Sequence, residues 1–435
     1  MDSVKAADRK FIRLGMLDGI RDGDEVGSGT RRILLDLVGG LDPSRFQCVV
    51  FLQAAGFFSR QIADLGAEVV IAGVPPLASM YRRAGPVVLP RPFGFATNAT
   101  RLPRAILETA RLLREHRIDI AYLPTYLEHV LGGMAARLAG IPSVAHIQGI
   151  PQAGHRVKLM LAPYKAWCSI CGCVPVAISK AVATAWGRDR RGPPRVIYNS
   201  VDSDRFRPGR PDPAAFEALG LPLDGRPIVG ILSRIAPGKR VHMVVPFARA
   251  LATMTPSARI LVCGDLSRDG SAAADHPDPR ATEVPSAARW RSESPYFREI
   301  AEALEASGLD RNVTFAGHRD DLPTLLHGMD VVAHLCDIEG FGLVLVEAMS
   351  AGVPVVAFGT AGPAELIDDG VTGLTVADPS DVDGLARGVA ALLGDPKRAR
   401  RMSRQARLEV QRRFSKERFI GQFEELFASL AAGEP

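Results

Sequence analysis

The sequence predicts an α/β protein made of two facing Rossmann-like domains, each a doubly wound parallel sheet. Short, near-continuous Val/Ile/Leu runs alternate with helix-like segments almost throughout, which is typical of a parallel sheet covered on both faces. The alternation pauses at residues 199–213, which are rich in Asp, Arg and Pro, and then restarts. A chain of 435 residues is also too long for one ordinary core.

In the first half, apolar β-rich runs predict strands and amphipathic segments between them predict helices. The predicted strands are 11–17, 48–52, 68–71, 118–123, 143–147 and 174–178. The clearest predicted helices are 30–38, 105–116 and 129–139.

The second half repeats the pattern. The predicted strands are 228–232, 259–263, 313–316, 331–335, 353–357 and 374–376. A polar, proline-containing segment at 267–296 is expected to be an exposed insertion or mobile loop. A final helix is predicted at 416–430, after a basic stretch that we interpret as a solvated helix face.

These patterns predict an N-terminal domain over residues 1–205 and a C-terminal domain over 206–410. Residues 411–435 are expected to form a helix that packs back toward the N-terminal domain. Ligands of doubly wound sheets bind beyond the carboxyl ends of the strands, so we expect a cleft between the two facing domains.

Composition narrows the class of function. Hydrophobic residues make up 47% and charged residues 23%, as in a soluble globular protein, and no apolar run is long enough to span a bilayer. The net charge of +5 suits anionic small molecules or an anionic membrane surface better than nucleic acid. Charged residues at positions 5 and 8–10 do not fit a signal peptide, so a cytoplasmic location is expected.

Three cysteines, Cys168, Cys171 and Cys173, form a C-x-x-C-x-C cluster. No second cysteine pair or nearby histidine pair completes a metal site. We therefore favour buried packing over a metal or redox site, because free cysteines are usually buried.

The most informative segment is 337–356. An acidic residue, Glu339, precedes a Gly-Phe-Gly turn that opens a helix-compatible run, and Glu347 follows eight positions later. A glycine turn that leads into a helix N-terminus favours an anion such as phosphate. The two glutamates alone are a weak signal, since a helix salt bridge and a tight turn would give the same pattern.

Two further turns follow predicted strands. Arg234 and Lys239 follow strand 228–232 and suit a diphosphate, although they would equally be two solvated loop charges. The turn at 26–32, which contains Gly29, lacks the third glycine of a dinucleotide fingerprint. It would still let a sugar or phosphate approach the backbone.

Together these motifs resemble the retaining glycosyltransferase family 4, with the GT-B fold, over nearly the whole chain. The most specific match is the E-x7-E element from Glu339 to Glu347, continued by Ala-Met-Ser-Ala-Gly-Val-Pro-Val-Val. Further matches are Ser233-Arg234 with Lys239, 198–202 with Arg205-Phe206, 263–265, 315–317, 362–367 and 176–179.

The resemblance implies transfer of a sugar from a nucleotide diphosphate, UDP- or GDP-linked, to a saccharide, lipid or other glycoconjugate acceptor with retained anomeric configuration. It implies that Arg234 and Lys239 hold the diphosphate and offset the leaving-group charge. It further implies that no metal and no cofactor is needed, because these cations take the place of the metal and the nucleotide sugar is a co-substrate.

The same resemblance assigns the remaining donor contacts. Glu339 would bind hydroxyl groups of the donor sugar and Glu347 the ribose, while Gly317 and His318 would border the base. The backbone of Gly340, Phe341, Gly342 and Leu343 would meet the phosphate and sugar.

Three positions depart from the family pattern. The family often ends an N-terminal strand in His-Gly, but here Gln148 precedes Gly149 and His146 lies two residues earlier. We expect His146 to take the catalytic role, although an isolated strand histidine is usually structural. Cys336 replaces a common serine, and Ser200 replaces a common glycine.

The acceptor is expected to bind the N-terminal half. Five arginines recur at near-helical spacing and would form a basic face for anionic lipid, implying peripheral contact with the inner face of a membrane. An ordinary exposed helix face is the interpretation we favour. These arginines are Arg101, Arg104, Arg111, Arg114 and Arg117.

The sequence thus predicts a glycosyltransferase. A glycan phosphorylase or nucleotide-sugar epimerase would use the same fold, which cannot separate these activities. A catalytically silent carbohydrate-binding protein is the third alternative, and the retained Glu339, Glu347, Arg234 and Lys239 argue against it.

Overall fold

The computed structural model describes residues 11–18, 29–74, 81–84, 87–90, 92–150, 155–189, 192–266, 290–292 and 294–433. These residues divide into two compact units. The first unit extends to Tyr198 and includes residues from Glu417 onward, whereas the second extends from Asn199 to Lys416. The domain limits at residues 205 and 410 remain predictions.

The first unit contains a seven-stranded parallel sheet with the order β3-β2-β1-β6-β7-β8-β9, and an antiparallel hairpin of β4 and β5. The strands are β1 (Ile12–Leu17), β2 (Phe46–Leu52), β3 (Glu68–Ile71), β4 (Tyr81–Ala84), β5 (Val87–Pro90), β6 (Ile120–Leu123), β7 (Ser143–Ile147), β8 (Cys173–Ala177) and β9 (Arg195–Val196). The helices are α1 (Gly29–Gly40), α2 (Phe57–Asp64), α3 (Pro92–Glu115), α4 (Tyr126–Ala139), α5 (His155–Cys171) and α6 (Lys180–Trp186).

The second unit contains a six-stranded parallel sheet with the order β12-β11-β10-β13-β14-β15. The strands are β10 (Ile228–Leu232), β11 (Arg259–Cys263), β12 (Val313–Gly317), β13 (Val331–His334), β14 (Val355–Phe358) and β15 (Leu374–Val376). The helices are α7 (Pro213–Glu217), α8 (Val244–Met254), α9 (Pro295–Ala306), α10 (Leu322–Leu326), α11 (Leu343–Ser350), α12 (Pro363–Leu366), α13 (Val382–Gly394) and α14 (Pro396–Arg413).

The predicted fold class is confirmed, because both sheets are parallel and doubly wound. Their central strands are buried on both faces: every residue of β7, β10 and β13 is buried. Such strands show no alternation of polar and apolar residues, and this explains why continuous apolar runs located them in the sequence. In the second unit, Phe247 of α8 and Leu385 of α13 pack into the same core as Val229 and Val331.

The structure differs from the sequence prediction in three elements of the first unit. The sequence does not predict the β4–β5 hairpin or the two-residue strand β9, because arginines interrupt the apolar pattern of β4 and β9 and β5 ends in a proline. Helix α3 begins at Pro92 rather than at the predicted 105, and it continues through Pro103. An internal proline normally argues against such a continuation. Most of the predicted insertion at 267–296 lies outside the described residues.

The three clustered cysteines are confirmed as buried free thiols. They are not among the described residues whose ligand atoms lie close enough together to hold a metal ion. Within the same described ranges, no helix combines the length and apolar character that crossing a bilayer requires.

The C-terminal helix α15 (Lys416–Ala431) belongs mainly to the first unit. Phe423 is fully buried there, with its ring centroid 5.9 Å from Tyr122 and 5.3 Å from His146. Glu424 accepts a hydrogen bond of 2.9 Å from the Asp42 N–H. The helix therefore completes the core of a sheet whose strands lie more than two hundred residues earlier in the chain.

We predict that Phe423→Ala lowers the free energy of unfolding of the first unit by about 3–5 kcal/mol, because it leaves a cavity against Tyr122 and His146. Differential scanning calorimetry or urea unfolding measures the loss. Glu417→Ala, at an exposed position of the same helix, is the matched control and should change stability by at most about 0.5 kcal/mol. Equal stability of the two variants would contradict the packing of α15 described above.

Candidate functional site

The order of strands in the second sheet defines where a ligand can bind. The chain passes from β10 outward to β12 and then returns to β13, which pairs with β10 on its other side. The loops that follow β10 and β13 therefore begin side by side at the carboxyl edge. In open α/β sheets, ligands bind at such a switch point.

Close backbone packing ties the loop after β10 to the carboxyl end of β11, and the residue after β11 to the end of β12. The Ser233 N–H donates to the Cys263 carbonyl at 2.9 Å, and the Gly264 N–H donates to the Gly317 carbonyl at 2.8 Å. A Cβ atom on Gly264, where φ is +153°, would lie 1.9 Å from the Ser233 carbonyl oxygen. Only glycine fits this position, so the glycine of the segment 263–265 sets how closely the Arg234 loop approaches β11.

The site contains an ion pair between the two adjacent loops. The Lys239 Nζ atom, in a short 3-10 helix at Pro237–Lys239, lies 2.5 Å from Glu339 Oε2 in the loop after β13. Burial alone would raise the pKa of Glu339, but the Lys239 ammonium, the His334 ring and the Gly340 N–H lower it. The carboxylate is therefore ionised at neutral pH, with 16% of its side chain exposed.

A second ion pair flanks the first. Arg240 Nη1 lies 2.9 Å from Asp337 Oδ2 and donates to the Pro379 carbonyl at 3.1 Å. Arg240 has a φ of +53°, which is unfavourable for a residue with a side chain. The sequence predicts no role for Arg240 or Asp337. Their only sequence signal is position: Arg240 directly follows Lys239, and Asp337 lies two residues before Glu339.

The glycine turn leads into a helix N-terminus, as the sequence predicts. Gly342 has a φ of +103° and precedes α11, whose first N–H groups have no acceptor within the helix itself. Phe341 is 2% exposed, with its ring 5.5 Å from that of Phe414, so it anchors the turn to the core. The Gly362 N–H donates to the Glu339 carbonyl at 2.9 Å.

Gly362 forms the other wall of this turn. A Cβ atom added to it would lie 2.6 Å from the Phe341 carbonyl oxygen and 2.8 Å from that of Glu339. Since both neighbours are backbone atoms, neither can move aside without displacing the turn. The turn is thus held rigidly from both sides.

The other predicted residues of this unit occupy different settings. Arg234 is exposed, and His318 is exposed next to Asp320, with 3.3 Å between Nε2 and Oδ1. Gly317 ends β12 with a φ of +74°. Glu347 lies within α11 and is 4% exposed. The structure thus brings Lys239 and Glu339 into direct contact. The ligand contacts expected of the backbone of Gly340 and Leu343 remain predictions.

His334, the last residue of β13, was also not singled out in the sequence. Its side chain is 4% exposed, with Nε2 3.7 Å from Glu339 Oε2. Burial lowers the pKa of His334 to about 4, so the ring is neutral at physiological pH. Cys336 is buried two residues further along.

Two predicted site residues lie in the first unit. Gly29 is the first residue of α1 and is exposed, while positions 26–28 of the predicted turn are outside the described residues. His146, on β7, is fully buried. The Tyr122 hydroxyl lies 2.5 Å from its Nδ1 atom, and the Gln148 amide lies 3.3 Å from the same atom. The catalytic role of His146 remains a prediction.

A small pocket opens at the carboxyl edge of the first sheet. It is lined by residues that follow β1 and β2, including Asp18 and Gln53, and by Thr109 of α3. Asp18 pairs with Arg31 of α1 at 3.2 Å. This pocket lies at the equivalent edge of its own sheet, beyond the strand ends, where doubly wound sheets hold ligands.

The two halves match two family models. Residues 28–205 match the model "Glycosyltransferase Family 4", and residues 216–409 match "Glycosyl transferases group 1". These matches, with the two doubly wound sheets and the E-x7-E segment, define a protein of the GT-B class. The chain belongs to glycosyltransferase family 4.

Two curated relatives are informative. A D-inositol 3-phosphate glycosyltransferase from Mycolicibacterium paratuberculosis is 37% identical over 203 residues, which is 46% of this chain and 39% of the relative. The chain thus matches only about two fifths of that protein. A GDP-mannose-dependent alpha-(1-6)-phosphatidylinositol monomannoside mannosyltransferase from Mycolicibacterium smegmatis is 28% identical, over 69% of this chain and 74% of the relative.

Among solved structures, HepE from Anabaena in complex with UDP and glucose has a TM-score of 0.73 and 23% identity. The match covers 96% of this chain and all of HepE. Sucrose-phosphate synthase from Thermosynechococcus elongatus has a TM-score of 0.69 at 20% identity, over 97% of this chain and 100% of that one. At these identities, the likeness establishes the fold.

Because His146 is buried, we predict that the free energy of unfolding depends on pH. Burial lowers its pKa to about 3, whereas an unfolded histidine titrates near 6.5. Below about pH 6.5 the unfolded chain takes up a proton that the folded chain excludes, so the free energy of unfolding falls as the pH is lowered. Between pH 7 and pH 5 this histidine alone should account for about 2 kcal/mol.

Urea unfolding of the wild type and His146→Gln at both pH values tests this prediction. The variant should lose about 2 kcal/mol less than the wild type over that range. Tyr122→Phe is the control, because it keeps the buried imidazole and should keep most of the wild-type pH dependence. Identical pH dependence of wild type and His146→Gln would contradict the prediction.

Proposed function

We propose that this protein is a retaining, metal-independent glycosyltransferase that moves a sugar from a UDP- or GDP-linked donor to a saccharide, lipid or other glycoconjugate acceptor. The observation that carries the proposal is the Lys239–Glu339 pair at 2.5 Å. It joins the loops after β10 and β13 at the switch point of the sheet, directly before the N-terminus of α11.

The diphosphate would bind where positive charge and free N–H groups meet. Arg234 is exposed, and the Lys239 side chain is 29% exposed, so both can reach a ligand. The N–H groups of Gly342 and Leu343 begin α11, where the helix dipole favours an anion. As the bond to the sugar breaks, negative charge grows on the departing diphosphate, and these fixed groups would stabilise it. This supports a reaction that needs no metal.

The donor sugar would bind at Glu339. Its ionised carboxylate is a hydrogen-bond acceptor for sugar hydroxyl groups, and Gly362 and Phe341 keep its backbone in place. Glu347 is proposed to bind the ribose, and Gly317 with His318 to border the base. One relative is named for GDP-mannose, and the HepE structure contains UDP. Both support a donor linked to one of these two nucleotides.

The acceptor would bind the first unit. For Gly29, at the start of α1, we propose the role expected from the sequence, that of letting a sugar or phosphate of the donor approach the backbone closely. Since His146 is fully buried, we propose that it positions Gln148, whose half-buried amide follows β7 and would face the ligand. The relatives named for inositol phosphate and phosphatidylinositol monomannoside support a hydroxyl-rich acceptor.

We propose a cytoplasmic location.

The basic face expected on α3 is partly neutralised, because Arg104 pairs with Glu108 at 2.7 Å and Arg111 with Glu115 at 2.6 Å. These pairs favour an ordinary exposed helix face. The Mycolicibacterium smegmatis relative is named for a phosphatidylinositol monomannoside acceptor, which is a lipid, and this supports peripheral membrane contact.

We predict that Lys239→Met and Glu339→Gln each lower kcat/KM for sugar transfer by roughly 100-fold or more, since each removes a charge that acts on the donor. Transfer from UDP- and GDP-sugars to a panel of saccharide and inositol-containing acceptors measures the loss. Lys397→Met and Glu302→Gln, at exposed positions of the same unit, are the matched controls. Activity that survives in both site variants would contradict the assignment.

We also predict that the product keeps the anomeric configuration of the donor and that EDTA leaves the rate unchanged. Proton NMR of the glycoside product identifies the anomer. Rates of the EDTA-treated enzyme with and without added Mg²⁺ test the metal requirement. An inverted product would refute the retaining mechanism, and a Mg²⁺-dependent rate would refute metal independence.

A further inference from the structure

We infer that His334, Cys336 and Glu339 form a binding site for a transition-metal ion of the Zn²⁺ type, and that the metal competes with Lys239 for Glu339. Such a metal would inhibit the enzyme rather than assist it. The inhibition rests on the proposed function, because Lys239 and Glu339 are its donor-binding residues. The metal site itself does not depend on that function.

The geometry is close to what a small metal requires. One ligand atom from each of the three side chains lies within 4.8 Å of the other two. His334 Nε2 is 3.7 Å from Glu339 Oε2. In a tetrahedral zinc site, with bonds of about 2.0–2.3 Å, ligand atoms lie roughly 3.3–3.8 Å apart. The distances between ligand atoms would therefore have to contract by about 1.5 Å at most.

The Nε2 atom of His334 is available to bind a metal ion. His334 is 3% exposed, and its Nε2 atom has no hydrogen-bond partner among the described residues. A buried polar atom without a partner is unfavourable and calls for an explanation. A metal at this position would supply the missing partner.

The chemistry of the three ligand atoms determines which metal ion the site would bind. A thiolate from Cys336, an imidazole and a carboxylate suit Zn²⁺ and leave a fourth position for water. Mg²⁺ prefers oxygen ligands alone, so this set would bind it poorly. Cys336 Sγ donates to the Ile338 carbonyl at 3.5 Å and to that of Gly238 at 3.7 Å, and such weak thiol hydrogen bonds can give way to a metal.

Lys239 is the competitor. Its ammonium is 2.5 Å from Glu339 Oε2, so a metal on this carboxylate would meet strong repulsion unless the ammonium left. The Lys239 side chain is 29% exposed and can turn toward solvent. Metal binding and the Lys239–Glu339 pair are therefore mutually exclusive.

Titration of Co²⁺ into the EDTA-treated and desalted full-length protein, followed by displacement with Zn²⁺, tests the site without any nucleotide sugar. We expect a single Co²⁺ ion with thiolate-to-cobalt charge-transfer absorption and the visible bands of tetrahedral cobalt. Cys336→Ser should abolish the charge-transfer band. His334→Gln should weaken binding at least about tenfold, as losing a direct ligand costs no less than losing its supporting partner.

Cys263→Ser is the control for the cysteine, because Cys263 is also buried in the second unit. It should leave the cobalt spectrum unchanged, and circular dichroism checks that each variant is folded. A wild-type protein without the charge-transfer band would overturn the site, as would an unaltered band in Cys336→Ser.

The competition has its own test. Lys239→Met should tighten Co²⁺ binding roughly fivefold or more, because it removes a positive charge that repels the metal ion. Interactions between residues in contact are typically of this size. Unchanged or weaker binding overturns the competition. In transfer assays, Zn²⁺ should inhibit the wild type and not Cys336→Ser. Failure of the cobalt titration would leave the proposed transfer untouched, whereas loss of the transfer activity would leave the cobalt titration intact.

Discussion

The parallel pairing of β10 with β13 is the constraint on which the candidate site depends. These strands are neighbours in the sheet although about a hundred residues separate them in the chain. Parallel pairing makes both strands end at the same edge, so the Lys239 loop and the Glu339 loop start next to each other. The ion pair, the glycine turn and the start of α11 then follow from two loops that share one edge.

The site combines rigid backbone with a mobile charge. Gly264 and Gly362 are packed against carbonyl groups that cannot move, and Phe341 is fixed in the core. Lys239, by contrast, is a flexible side chain whose partner is the carboxylate of Glu339. A ligand that brings its own negative charge can therefore attract the ammonium without deforming the turn. The same freedom lets a metal displace it.

The sequence predicted the sheets well, because buried parallel strands are continuous apolar runs that need no partner to be recognised. It also predicted the loop that contains Glu339, since glycines before a helix are a local signal. It could not predict that His334 lies beside Glu339, because this contact depends on how the loop after β13 folds back on the end of its strand. It could not predict that Arg240 pairs with Asp337 either, because these residues come from separate loops. The sequence also could not predict the burial of His146, because Tyr122 and Phe423, which contact its ring, come from distant segments.

The position of α15 has a consequence for synthesis of the protein. The strands of the first unit are made early, but the helix that covers Tyr122 and Phe46 is translated only after the whole of the second unit. The second unit can complete its core while the first still exposes aromatic surface. The half that is made first is therefore expected to finish folding last, and during that interval it is the part of the nascent chain most in need of a chaperone.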